Sequence, residues 1–254
     1  MKNPAVILIT GASGGIGAAL AERYAGKGKT LFLCARRPDK LAETAEKCRQ
    51  KGAVVYTEKQ DVTDADGMRN FIARCDKIAP IDLVVANAGV SVGGDGGLET
   101  EEQTRAVFDT NIYGVLNTVF PAVEKFRARK KGQIAVVSSL AGYRGLPGAA
   151  AYSASKNCVR AWGEALRGCL KKDDIEVSVI CPGFVKSGIT AKNKFPMPFL
   201  METAAAADYI AKKLAKNQGR VTFPWPLAFA VWAFSCLPAR LTEWVYAVLP
   251  AKNS

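Results

Sequence analysis

The 254-residue chain contains no histidine. That single absence excludes a Ser-His-Asp triad, a His-activated thiolate, an H-E-x-x-H zinc site and a Cys2His2 finger. Acid–base chemistry near neutral pH then falls to a perturbed Asp, Glu, Lys, Cys or Tyr. Paired cysteines are also missing. The seven thiols (Cys34, Cys48, Cys75, Cys158, Cys169, Cys181 and Cys236) are never closer than eleven residues, which rules out a C-x-x-C metal or redox pair. No metal site is expected. Scattered, apolar-flanked thiols fit a reducing compartment, and the short apolar run at 5–9 is too brief for a signal peptide, so the expected location is cytoplasmic. Acidic residues are in short supply as well. Lys plus Arg number 35 against 23 Asp plus Glu, a net charge of +12. A basic excess suits a polyanionic partner, yet the basic clusters are short and lack interleaved aromatics, so no nucleic-acid partner is expected.

What is present is a regular alternation. Apolar runs of strand length occur at 5–10, 30–34, 54–56, 83–86, 134–138 and 177–181. Segments of helical length and composition lie between them, at 16–27, 39–51, 64–78, 104–129 and 153–171. Continuous apolar strands alternating with helices predict an α/β fold, a Rossmann-type doubly wound parallel sheet with helices on both faces. One domain is expected over 1–220, including a loop at 187–202, followed by an apolar helical extension at 221–254. Residues 221–239 carry no charge, but Pro224, Pro226 and Pro238 cut the run. The uncut piece, 227–237, would reach ~16 Å as a helix. That is about half of a ~30 Å hydrocarbon core, so a membrane span is not expected. Two destinations stay open for it: burial against the domain or a second subunit, or peripheral contact with a membrane through 221–249.

The first strand runs into Thr10-Gly11-Ala12-Ser13-Gly14-Gly15-Ile16-Gly17 and straight on into a helix. Glycines there allow a sharp turn and close backbone approach to a pyrophosphate, and the free N–H groups of a helix start bind its charge. The second strand ends in Cys34-Ala35-Arg36-Arg37, with no acid where a free ribose 2′-hydroxyl would be held; arginine favours a 2′-phosphate. Asp61-Val62 and Asn87-Ala88-Gly89 follow the third and fourth strands, at the edge where an open α/β sheet binds its ligand. Tyr152 and Lys156 stand four apart, on one face of a helix, so a phenol and an ammonium can share a pocket. An opposite charge within ~4–6 Å is expected to lower the phenol's pKa. Ser139 lies thirteen residues upstream, with Ser138 as its neighbour.

With TGASGGIG, DVTD, NAG, SSLAGY, YSASK and CPGFVKSG in this order, the chain resembles the short-chain dehydrogenase/reductase family, in its NADP-dependent branch of roughly 250 residues. The resemblance spans about 5–190. It implies that Gly11, Gly15 and Gly17, with Ile16, form the dinucleotide loop, and that Ser13 and Arg36, helped by Arg37, meet a 2′-phosphate. It implies that Asp61 and Val62 hold the adenine, and that Asn87, Ala88 and Gly89 support the adenosine side. Pro182, Gly183 and Val185 would close over the nicotinamide. Catalysis would fall to Asn111 (organising a relay water), Ser139 (polarising a carbonyl), Tyr152 (acid/base) and Lys156 (binding ribose and lowering the phenol's pKa). The implied function is an NADP(H)-dependent oxidoreductase, with NADP(H) preferred over NAD(H), that reduces a ketone or aldehyde. Segments 90–97, 140–146 and 194–201, with Phe184, would wall the substrate pocket. The apolar residues of 195–201 suggest a hydrophobic substrate or simple packing. A lipid ketone reduced at a membrane surface, or a non-catalytic NADP(H) sensor, are the competing readings. The stripe Cys158, Trp162, Ala165 and Cys169 suggests a homodimer or homotetramer, or core packing within the domain.

Overall fold

The computed structural model describes residues 3–92, 99–192 and 196–248. Seven parallel strands form one sheet in the order β3-β2-β1-β4-β5-β6-β7. They are β1 (Val6–Thr10), β2 (Thr30–Ala35), β3 (Val54–Lys59), β4 (Leu83–Ala86), β5 (Gly132–Val137), β6 (Ile175–Pro182) and β7 (Arg220–Phe223). Chain direction reverses its lateral progress between β1 and β4, which creates the crevice beyond the strands' C-terminal ends where such sheets bind ligands.

The strands are apolar on both faces because both are covered. Ile7, Ile9, Leu31, Leu33, Leu83 and Val85 point into one core, shared with α1 (Gly15–Tyr24), α2 (Pro38–Gln50) and α7 (Thr203–Leu214). The alternate residues Leu8, Phe32, Cys34 and Val84 enter the other, shared with α3 (Ala65–Ile78), α5 (Gly114–Arg129) and α6 (Ala150–Leu170). This two-residue alternation is the strand period itself. Each large side chain buried this way contributes about 1.5–3 kcal/mol.

The doubly wound α/β fold expected from the alternation is the observed one, with three local differences. Residues 104–129 are not one helix. A helix α4 (Glu101–Phe108), started by a capping box between Thr100 and Gln103, runs into a π-helical turn at Asp109–Tyr113 before α5 begins. Such single π-turns recur where a functional side chain must be re-aimed, and this one carries Asn111. The seventh strand was not expected. It is four residues long, opens with an arginine and pairs with β6, so the sheet reaches Phe223 and the division expected after 220 falls inside a strand. Beyond it come α8 (Trp225–Ser235) and α9 (Ala239–Val248).

α8 starts where β7 leaves the sheet, and one face of it packs inward. Leu227, Ala228 and Val231 rest on a small core of Leu140, Val179 and Cys181. Arg144 secures the α8–α9 corner, donating to the carbonyls of Ser235 (3.4 Å) and Leu237 (3.2 Å) and to Thr242 Oγ1 (2.6 Å). Among the described residues, no helix is long and apolar enough to cross a membrane.

Candidate active site

The glycine segment between β1 and α1 is built around its missing side chains. Gly11 has φ +67° and Gly15 φ +55°, a left-handed backbone that favours glycine. A Cβ on Gly17 would lie 2.5 Å from both the Gly11 carbonyl and Asn87 Nδ2, so the loop, the helix and the β4 end meet there without room for a methyl group. The first turn of α1 has no acidic residue, and its Gly14 N-cap offers no side-chain bond. Its free N–H groups therefore remain for an anion. This cradle fits a dinucleotide pyrophosphate. Ile16 anchors the start of α1 against the neighbouring core.

Asn87 ties the β4 end to this loop. Its Nδ2 donates to the carbonyls of Thr10 (2.9 Å) and Gly11 (3.3 Å), while Thr10 Oγ1 accepts from the Asn87 and Ala88 N–H groups at 3.1 Å each. Arg37 donates to Ser13, at 3.2 Å to Oγ and 3.4 Å to the carbonyl. Arg36 faces Asp61 instead, at 3.8 Å. The two arginines thus flank the same corner by different partners. Asp61 also accepts from the Thr63 N–H and hydroxyl at 3.0 Å. Val62 is buried; its carbonyl accepts from Asn117 at 2.9 Å, and its side chain occupies the space a Cβ on Gly114 would need.

Of the four residues expected to do chemistry, Asn111 and Lys156 meet beside Gly89, and Tyr152 and Ser139 follow from Lys156. A Cβ on Gly89 would lie 3.2 Å from both Asn111 Oδ1 and Lys156 Nζ. Asn111, fully buried in the π-turn, clamps Val90 by two bonds (N–H to Oδ1 2.8 Å, Nδ2 to carbonyl 2.9 Å) and donates to Ser155 Oγ at 3.0 Å. Ser139 Oγ accepts from the Ala141 N–H and shares a hydrogen bond with Tyr152. It also donates toward the Pro182 carbonyl at 3.4 Å. Ser138, the neighbouring alternative, is committed elsewhere: its hydroxyl donates to the Lys156 carbonyl at 2.6 Å.

Tyr152 and Lys156 share α6 as the spacing requires, but their electrostatics differ from the sequence expectation. Nζ is 5.8 Å from the Tyr152 ring centroid and donates to the Val137 carbonyl at 2.9 Å. Burial pushes the phenol above its ordinary range, against a smaller opposing effect of the Ser139 hydrogen bond. Lys156 is only 3% exposed, and burial pulls its ammonium down to about 8. Desolvation therefore sets the direction for both groups. Two buried cysteines that histidine's absence left as candidates are poor ones: burial pushes Cys181 up to about 11 and Cys75 up to about 12. Among the described residues, no cluster of three Cys, Asp or Glu side chains could hold a metal ion.

The segment after β6 closes the far side. The Gly183 N–H donates to the Phe223 carbonyl at 2.8 Å, and a Cβ on Gly183 would lie 2.8 Å from Leu227 and 3.3 Å from Leu140. Val185 is buried and bridges to Met201, and its carbonyl accepts from Thr190 at 2.9 Å. Phe199 and Leu200 are exposed on this segment. Of the expected pocket walls, residues 93–97, 194 and 195 lie outside the described residues.

One site residue escaped sequence reasoning. The Ala149 N-cap gives α6 no side-chain bond; instead Glu99, only 8% exposed, accepts from the Ala151 N–H at 2.6 Å. A carboxylate at a helix start complements its dipole. Glu99 is 52 residues away in sequence and precedes an unrelated cap, so no local signal marks it. Its Oε1 is buried and makes no hydrogen bond.

A short chain dehydrogenase family model matches residues 5–196. An uncharacterized oxidoreductase of Myxococcus xanthus is 41% identical over 237 residues, covering 93% of this chain and 94% of that one. Among solved structures, a short-chain dehydrogenase/reductase of Burkholderia phymatum in complex with NAD superposes with a TM-score of 0.83 at 23% identity, covering 91% and 92% of the two chains. A short-chain dehydrogenase of Sphingobium yanoikuyae in complex with NADPH gives 0.81 at 23%, covering 98% of each. With its glycine cradle, its parallel sheet and this kinship, the chain belongs to the short-chain dehydrogenase/reductase family of NAD(P)-binding oxidoreductases.

Proposed function

We propose that the protein is an NADP(H)-dependent reductase that converts a hydrophobic ketone or aldehyde to its alcohol, with Tyr152 as the acid. The observation that carries this reading is the run of contacts from Asn111 and Lys156, beside Gly89, to Tyr152 and Ser139, together with a glycine cradle that fits a dinucleotide. Bound in that cradle, the reduced nicotinamide supplies a hydride.

Ser139 and Tyr152, already hydrogen-bonded to each other, would both donate to a carbonyl oxygen placed between them. As the carbonyl carbon gains hydride, charge builds on that oxygen and the Tyr152 phenol releases its proton to it, leaving an alcohol. The raised pKa keeps the phenol protonated and ready to donate below that range. Lys156 then faces a phenolate, and its ammonium stabilises it and binds the ribose. Asn111 holds Val90 in place beside this group through its Oδ1 and Nδ2, next to Gly89, where it would organise a relay water.

Preference for the phosphorylated nucleotide is assigned to Arg36, Arg37 and Ser13, which crowd the corner beyond β2 with no acid on the strand end itself. The hydrophobic substrate is supported by Leu146, Phe199 and Leu200, exposed on the segments that follow β5 and β6. A homo-oligomer is supported by the outer face of α5 and α6. Cys158 and Cys169 are exposed there, and half-buried Trp162 packs against exposed Phe120 at 5.8 Å. Tyr152→Phe tests the mechanism: NADPH binding by fluorescence titration should survive while turnover of a carbonyl panel falls by about 10³-fold or more. Near-normal turnover would remove Tyr152 from the role.

A further inference from the structure

The face of α8 turned away from the small core of Leu140, Val179 and Cys181 is aromatic and uncovered. Trp225, Phe229 and Trp232 recur at i, i+4 and i+7, a single helical stripe, and are 77%, 62% and 52% exposed. Leu237 and Leu241, at the α8–α9 corner, are exposed as well. An uncovered aromatic stripe of this kind marks a contact surface, since a soluble monomer gains nothing from it.

Charge decides the occupant. From residue 200 to the end the chain has six basic residues (Lys212, Lys213, Lys216, Arg220, Arg240, Lys252) against three acidic ones (Glu202, Asp208, Glu243), with Lys212 paired to Asp208 and Arg220 to Glu164. The whole chain carries +12, so the protein as a whole is drawn to an anionic surface. An anionic bilayer surface complements both features. Indole and phenyl rings settle at the interface between headgroups and acyl chains, and a basic flank is drawn to anionic lipid. α8 has only 11 residues, enough to lie in that interface and not to cross it.

We propose that the α8–α9 segment docks the protein on an anionic membrane surface through Trp225, Phe229 and Trp232. The inner face of the same helix, at Leu227, touches Gly183 and so borders the candidate active site. Docking would therefore set the mouth of that site beside the lipid, where apolar carbonyl compounds partition.

The test is flotation with phosphatidylcholine vesicles, with and without phosphatidylglycerol, using the full chain. It reads lipid binding without turnover, so it is independent of the proposed reaction. The expected result is co-flotation with the phosphatidylglycerol vesicles, weakened by salt and weakened at least tenfold in a Trp225→Ala/Phe229→Ala/Trp232→Ala variant whose NADPH binding is unchanged. If that variant fails to fold, Phe229→Lys alone carries the same expectation, and quenching of wild-type tryptophan emission by brominated acyl chains gives a reading with no substitution. Wild-type protein that ignores anionic vesicles, or substituted protein that binds them equally, overturns the proposal. So does a wild-type dimer that the triple substitution makes monomeric in the absence of any vesicle binding, which assigns the stripe to a second copy.

Discussion

Lys156 is held at a cost that can be measured. Its ammonium sits in the interior with one hydrogen bond, to the Val137 carbonyl, and burial lowers its pKa from the ordinary 10.5 to about 8. A displacement of that size corresponds to about 3 kcal/mol of folding free energy, at ~1.4 kcal/mol per pH unit. The direction follows from linkage. Below about pH 8 both folded and unfolded chains carry the charge, and the folded state bears the full penalty. Between about 8 and 10.5 the folded lysine is neutral while the unfolded one still holds its proton, so stability rises with pH. Lys156→Met removes the penalty and also removes the partner of the Val137 carbonyl, a loss of about 1–3 kcal/mol. At about pH 7 the variant should equal the wild type or exceed it by up to about 2 kcal/mol. At about pH 10.5 it should be less stable by about 1–3 kcal/mol. Urea denaturation of both proteins at a series of pH values between these limits reads the difference directly, because every other titrating group is common to both. A stability difference that changes by less than about 1 kcal/mol across the series would refute the reasoning. In the same variant, carbonyl turnover should collapse, so stability and activity move in opposite directions at neutral pH.

Gly17→Ala should lose NADPH affinity by at least about tenfold and fold less stably by about 1–3 kcal/mol, since its Cβ would stand 2.5 Å from the Gly11 carbonyl and Asn87; isothermal titration and thermal denaturation check both. Glu99→Ala, which uncaps α6 one residue before Tyr152, should lower stability by about 1–2 kcal/mol and lower kcat more than it raises the KM for NADPH. Equal effects on both kinetic constants would assign Glu99 to the cradle rather than to α6. Arg36→Asp should shift the ratio of kcat/KM for NADPH over NADH by at least about tenfold toward NADH, with the Arg36–Asp61 contact turned repulsive.

The first six strands, the glycine loop and the Tyr152–Lys156 pairing were legible in the sequence because each is a local pattern: an apolar run, a turn without Cβ atoms, a four-residue helical step. β7 was not, because four residues beginning with Arg220 acquire strand character only by pairing with β6. The π-turn at Asp109–Tyr113 was hidden for a similar reason. Nothing in the composition of 104–129 separates a continuous helix from one interrupted so that Asn111 can reach Val90 and Ser155.

Taken alone, the sequence determined the family and narrowed the residue types open to acid–base chemistry. Without histidine, the acid proposed here had to be another residue type, and the candidate is a phenol with a lysine one turn away. Tertiary structure decided how that device is set. Burial raises the Tyr152 pKa and lowers that of Lys156, a carboxylate from a distant segment caps their helix, and Arg37 rather than Arg36 reaches Ser13. It also decided the fate of the charge-free tail, by packing half-buried Leu227, Ala228 and Val231 inward and leaving three aromatic rings uncovered. The physical reason is the same in each case: residue type and spacing state which groups are present, while pKa, capping and exposure depend on what the rest of the chain places around them.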